Sequence, residues 1–169
     1  MSLAHRGTAL EALLDRVHAS YVRAGHVAIR LGPPTRSAGQ IRGEPVFRAI
    51  GPAPPDYLVS ALGRVYLFEA KSTEAARWPL DLLEVHQAHA LDAWERQGGA
   101  HVAGVVLGLR GVQVVYWLPW QTLGPRWWAH HLLMGRAAPG TASLDETDAR
   151  LLGELCVGGD WLDAARRAP

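Results

Sequence analysis

Glu69 and Lys71 stand two residues apart in the segment Val65-Tyr66-Leu67-Phe68-Glu69-Ala70-Lys71. On a strand, side chains alternate between faces, so Val65, Leu67, Glu69 and Lys71 share one face and Tyr66, Phe68 and Ala70 the other. A carboxylate and an ammonium therefore sit side by side at the end of an otherwise apolar strand. Asp56 opens the preceding strand-like segment, Asp56 to Ser60, and a turn at Ala61 to Arg64 joins the two. A hairpin brings Asp56 close to Glu69 or Lys71 across the ladder. Two carboxylates and a lysine that converge suit a hard divalent cation such as Mg²⁺, which leaves its other positions to water and substrate phosphate. Such an ion acidifies a bound water and stabilises charge on a phosphate. A lysine can position that water or help deprotonate it. A bare Glu-x-Lys is also what a surface salt bridge looks like, and Asp56 is the residue that weights the pattern toward chemistry.

Lys71 is the only lysine among 17 basic residues. Lysine is a compact point charge whose pKa shifts readily, whereas arginine is never deprotonated. Codon usage in a GC-rich genome explains the arginine excess equally well.

The next segment adds a polar residue. Pro79 to about Gln97 reads as a helix, with Leu80, Leu83, Leu91 and Trp94 as its buried stripe and Gly98-Gly99 as its stop. Gln87 falls on that stripe, four residues from both Leu83 and Leu91. A buried Gln is costly unless hydrogen-bonded, so it either faces Glu69 and Lys71 or reaches water past the stripe's end. His86 lies off the stripe, as a surface or phosphate-facing group. His89, His130 and His131 show no spacing to other ligands that defines a zinc site. Glu11 has two readings. It completes a capping box with Thr8, or it reaches a metal site from the margin of an apolar helix stripe.

The elements that must position these groups follow from pattern. Thr8 to Ala24 is a helix with Leu10, Leu13, Leu14, Val17 and Tyr21 on one face, ended by Gly25. His26 to Leu31 is a short strand. Gly32 to Pro55 is rich in Pro and Gly and carries Arg36, Arg42 and Arg48 at an even interval. As an extended hairpin arm it presents these arginines to DNA on one face; as a solvated loop it does not. Ala100 to Leu109 and Val112 to Leu118 form a second, almost continuously apolar hairpin suited to a sheet centre. Gly124-Pro125 precedes a helix from Trp127 to Met134, and Ser143 caps a last helix to about Cys156.

The 169 residues suit one domain, with an arm at about 32–55 and a helical C-terminal extension at about 121–169. A hydrophobic content of 49% argues against disorder. No apolar run is long enough to span a bilayer, and the N-terminal stretch lacks a signal-peptide core. A lone cysteine, Cys156, rules out an intrachain disulfide and fits a reducing, cytoplasmic setting. The net charge of +1 is low for a nucleic-acid binder.

Arg6-Gly7-Thr8-Ala9-Leu10-Glu11, the Pro-rich arm, Pro55-Asp56-Tyr57, Phe68-Glu69-Ala70-Lys71, Pro79-Leu80 and His86-Gln87 occur in this order. Together they resemble the RecU-type Holliday junction resolvases of the PD-(D/E)xK nuclease superfamily, over roughly residues 6–120. The resemblance implies an α/β fold, a mixed central sheet flanked by helices in a restriction-endonuclease-like core, with a protruding arm. It implies a homodimer making paired nicks in a four-way DNA junction with Mg²⁺, or Mn²⁺ in its place, and no organic cofactor. Asp56 and Glu69 would bind the metal, Lys71 activate water, Gln87 assist and Glu11 match an acidic position of the family. Arg6, Arg36, Arg42, Arg48 and His86 would contact DNA, and the protein would work at the nucleoid. Competing expectations are a nuclease of the same core that cuts duplex or flaps, and an inactive DNA-binding module. The Trp-rich tail beyond Trp120 falls outside the resemblance and offers interface surface for a dimer.

Overall fold

The computed structural model describes residues 8–41, 44–49, 51–132 and 142–168. Six strands form one mixed sheet: β1 (Val27–Arg30), β4 (Tyr57–Ala61), β5 (Arg64–Ser72), β7 (His101–Leu109), β8 (Val114–Pro119) and β10 (Glu154–Leu155), adjacent in that order. Every neighbouring pair is antiparallel except β5 and β7. Parallel neighbours need a crossover, and the helix α2 (Val85–Glu95) lies within it.

Period-two alternation on β5 builds two cores. Leu67 faces a cluster with α2, α3 (Trp120–Leu132) and α4 (Glu146–Leu152), which contribute Ala88, Leu91, Leu123, Trp127 and Ala149. Tyr66 and Phe68 face a second cluster with α1 (Thr8–Arg23) and α5 (Trp161–Arg167), which contribute Leu10, Leu14, Tyr21, Trp161 and Leu162. The expected stripe of α1 is thus its buried face. β7, between β5 and β8, is buried from Ala103 to Leu109, as a central strand must be. The β4–β5 hairpin turns on Leu62 and Gly63, whose φ values of 54° and 75° give the left-handed pair that suits strand twist.

The arm is a hairpin. β2 (Thr35–Ile41) and β3 (Glu44–Ala49) pair antiparallel as a separate two-stranded sheet, with a register shift between Ser37 and Gly39. Position 36 stands opposite position 48. Arg6 and Arg42 lie outside the described residues.

Three expected elements are corrected. The helix after Lys71 starts at Val85, not Pro79. Trp78–Pro79 pairs as the short strand β6 with β9 (Ser143–Leu144), Leu80–Leu82 is a 3-10 turn, and Leu83 is extended (φ −94°, ψ 118°). Leu80 and Leu83 are buried as expected, but outside the helix. Next, α3 begins at Trp120 and runs through Gly124 and Pro125. Trp120, Leu123 and Trp127 recur at helical spacing and are all buried, and this burial outweighs the local breakers. Glycine at 124 suits the close packing there, since a Cβ would lie 3.0 Å from the Trp120 indole.

The expected last helix is two helices and a strand. Asp145, not Ser143, caps α4 through a box with Asp148. The helix stops at Leu152 because the chain turns into the sheet as β10. At Gly153 a Cβ would lie 2.0 Å from the Trp117 carbonyl oxygen, so only glycine passes. α5 then seats Trp161 under the sheet. Trp120, Trp127 and Trp161 are core residues, not the free interface surface expected of the tail.

Candidate active site

The Tyr57–Phe68 pair fixes the hairpin register, and Asp56 stands one position further on, opposite Glu69. The Asp56 N–H donates to Glu69 Oε2 at 3.2 Å, and Asp56 Oδ2 accepts the Ala70 N–H at 3.0 Å. Lys71 follows on the same face, its Nζ 2.8 Å from Glu69 Oε1. The three residues singled out by spacing are thus in direct contact.

Gln87 completes the group. Its Nε2 donates to Glu69 Oε1 at 2.7 Å, and its Oε1 accepts the Glu84 N–H at 3.0 Å. The second bond is half of a capping box at the start of α2. The amide therefore cannot rotate without losing a helix cap. It is buried, as expected, but its place is the first turn of α2 and not the middle of a long stripe.

Glu69 is 2% exposed. Burial first, and then the charge of Asp56 beside it, push its carboxyl up to about 7; the Lys71 ammonium partly offsets both. Two hard carboxylates held together against their own repulsion are a donor set that a divalent cation fits.

Glu11 lies apart from this pair. Its carboxylate meets Arg30 on β1 at 2.9 Å, and the Arg30 guanidinium stands 5.9 Å from the centroid of Tyr57. Arg30 pairs with Tyr57, and the Leu31 N–H donates to the Asp56 carbonyl at 2.7 Å, so Glu11 sits one strand away at the same end of the sheet. Among the described residues, no third carboxylate or imidazole brings a ligand atom within 4.8 Å of both Asp56 and Glu69. Arg30 escaped the sequence reading because its partner lies nineteen positions away on another element.

His86 is not a free phosphate-facing group. Its Nε2 lies 2.9 Å from the Ala53 carbonyl at the base of the arm, and its Nδ1 lies 3.2 Å from Glu84. It ties the arm to the N-terminus of α2. Arg36 is exposed on β2.

A mixed sheet brings an Asp, a Glu and a Lys together on one hairpin, the arrangement that the sequence resemblance implies. The family model described as recombination protein U matches residues 5–138, and the chain belongs to that family, one of Holliday junction resolvases. The match runs past Trp120 to include α3. Among solved structures, Hjc, a Holliday junction resolvase from the archaeal hyperthermophile Archaeoglobus fulgidus, is similar at 18% identity and a TM-score of 0.49, over 83% of this chain and 92% of that one. No curated protein matches the chain. No helix among the described residues is long and apolar enough to cross a membrane.

Proposed function

We propose that this protein resolves four-way DNA junctions by hydrolysing phosphodiester bonds at a site made by Asp56, Glu69, Lys71 and Gln87. The observation that carries this reading is the immobilised Glu69 carboxylate, whose two oxygens are held by Gln87, Lys71 and the Asp56 N–H. Asp56 and Glu69 would hold Mg²⁺, with Mn²⁺ able to substitute. Such an ion supplies charge stabilisation at the phosphate and an acidified water. Gln87 fixes the orientation of Glu69, and burial keeps bulk water from screening that carboxylate. Lys71 presents an ammonium at the mouth of the site, where it can hold the attacking water by donating to it. Glu11, kept in place by Arg30, contributes a further negative charge at the same end of the sheet.

A four-way junction has near two-fold symmetry, and two nicks in one binding event need two sites. A closed two-fold homodimer meets that need, and the β2–β3 arm contacts the junction with Arg36, Arg42 and Arg48. A DNA substrate also places the protein's work at the nucleoid.

The test is cleavage of a four-way junction beside matched linear duplex and flap substrates, in Mg²⁺ and in Mn²⁺. Paired nicks confined to the junction support the reading. Equal cutting of duplex or flap assigns the protein to general nucleases of the same core. A monomer by sedimentation at micromolar concentration, still resolving junctions, would remove the dimer.

A further inference from the structure

A second group of ligand-type side chains lies outside the Asp56–Glu69 site. The 3-10 turn Leu80–Leu82 and the last turn of α3 bring together Asp81, His130 and His131. Among the described residues this is the one place where three such side chains each present a ligand atom within 4.8 Å of the others. Sequence spacing could not reveal it, because Asp81 is far along the chain from the His pair.

The histidines are prepared for ligation. The His131 ring stacks on the Trp127 indole, centroids 3.7 Å apart and planes 20° apart, and its Nδ1 faces the Trp127 carbonyl at 3.3 Å. A carbonyl can only accept, so the ring proton sits on Nδ1 and Nε2 carries the lone pair. Fixing the tautomer through the other nitrogen is what ligating histidines require. His130 Nε2 lies 2.9 Å from Asp81 Oδ1, while its Nδ1 is buried with no hydrogen-bond partner. Nε2, the nitrogen that faces Asp81, is the ligating atom, with the Asp81 carboxylate as co-ligand.

We infer that Asp81, His130 and His131 form a binding site for a borderline transition cation of the Zn²⁺ class, separate from the carboxylate site. Two imidazoles and one carboxylate suit Zn²⁺ and not Mg²⁺, which prefers an all-oxygen shell. With bonds of about 2.0–2.2 Å, tetrahedral ligand atoms stand about 3.4 Å apart, so small side-chain rotations close the observed spacing. Water would complete the coordination. The ion would staple the 3-10 turn to α3, where Trp127 Nε1 already donates to the Leu80 carbonyl at 3.1 Å. That turn leads directly into Glu84 and Gln87. The site is thus a structural clasp on the segment that presents Gln87 to Glu69.

The experiment is equilibrium dialysis of the full chain against Zn²⁺ in excess Mg²⁺, which occupies the carboxylate site and competes poorly for imidazole. Thermal melts with and without Zn²⁺, and the visible absorption of Co²⁺ in its place, run alongside. About one Zn²⁺ per chain, a raised Tm and a Co²⁺ spectrum typical of imidazole ligation are expected. Asp81→Ala and His131→Ala should each weaken Zn²⁺ binding at least tenfold and remove the melting shift. Asp81 is largely exposed, so its variant keeps the fold. Asp56→Asn should leave Zn²⁺ binding unchanged. No Zn²⁺ bound in excess Mg²⁺, or full binding by both Asp81→Ala and His131→Ala, overturns the proposal. Loss of Zn²⁺ in Asp56→Asn alone assigns the ion to the carboxylate site and also overturns it. Junction cleavage, measured separately, decides the nuclease reading whichever way Zn²⁺ falls.

Discussion

Gln87 Nε2 and Glu69 Oε1 are 2.7 Å apart, and that bond joins the first turn of α2 to the end of β5. The same amide caps the helix through Glu84. One amide thus both caps the helix and orients Glu69.

Gln87→Ala should lower the cleavage rate about tenfold to a hundredfold, the usual cost of losing an outer partner of a ligand. Junction affinity should change little, because Gln87 is buried behind Glu69. Losing the cap bond should also cost about 1 kcal/mol of stability. Single-turnover cleavage, binding and urea unfolding separate the three effects. Unchanged cleavage with reduced stability would make Gln87 a helix cap and nothing more.

Asp56→Asn and Glu69→Gln should each reduce cleavage by about 10²-fold or more while leaving junction binding intact, since an amide serves a hard cation poorly. Lys71→Arg should fail too, because a planar guanidinium cannot stand where a compact ammonium meets Glu69 at 2.8 Å. Near wild-type activity of Lys71→Arg would reduce Lys71 to a salt-bridge partner.

Deleting Thr35 to Gly51 removes the β2–β3 hairpin, a sheet of its own. It takes away none of Asp56, Glu69, Lys71 or Gln87. Junction preference should weaken, and the salt dependence of binding should flatten by a slope of about one per lost phosphate contact. Binding to junction and duplex across a salt series is the measurement. An unchanged slope and preference would make the arm a passive loop.

His18 gives stability a pH dependence. It is buried among Tyr57, Phe68 and Trp161, and its Nε2 accepts the Trp161 indole N–H at 3.0 Å, which only a neutral ring can do. Burial lowers its pKa to about 4, with Asp15 opposing, from an unfolded value of 6.5. Between those values the unfolded chain binds a proton that the folded chain does not. Stability from His18 is therefore full above about pH 6.5 and falls as the pH drops toward 4. Glu69 acts in the opposite sense, since its folded pKa is raised to about 7, so the comparison must be with a variant. Between about pH 7 and pH 4, wild type should lose about 2 kcal/mol more than His18→Gln, after discounting for solvent screening. Parallel curves from urea unfolding would show that His18 titrates normally.

The sequence by itself determined whatever depends on near neighbours. Alternation along Val65 to Lys71 set which side chains share a face, and Leu62-Gly63 set the turn that brings Asp56 opposite Glu69. The helical stripe of α1 and the apolar run of β7 were legible for the same reason, because their periods repeat within a few residues. Only the tertiary structure decided what depends on distant partners. α3 passes through Gly124 and Pro125 because Trp120 and Trp127 are buried, and the chain leaves α4 at Gly153 because β8 offers an edge to pair with. Trp161 reaches His18 across 143 positions. Local propensities for breaking and capping are worth about 1–3 kcal/mol each, and burying one Trp or closing a sheet edge outweighs them. That is why the spacing could point Gln87 toward Glu69, while the cap bond to Glu84 that also holds its amide appeared only in the fold.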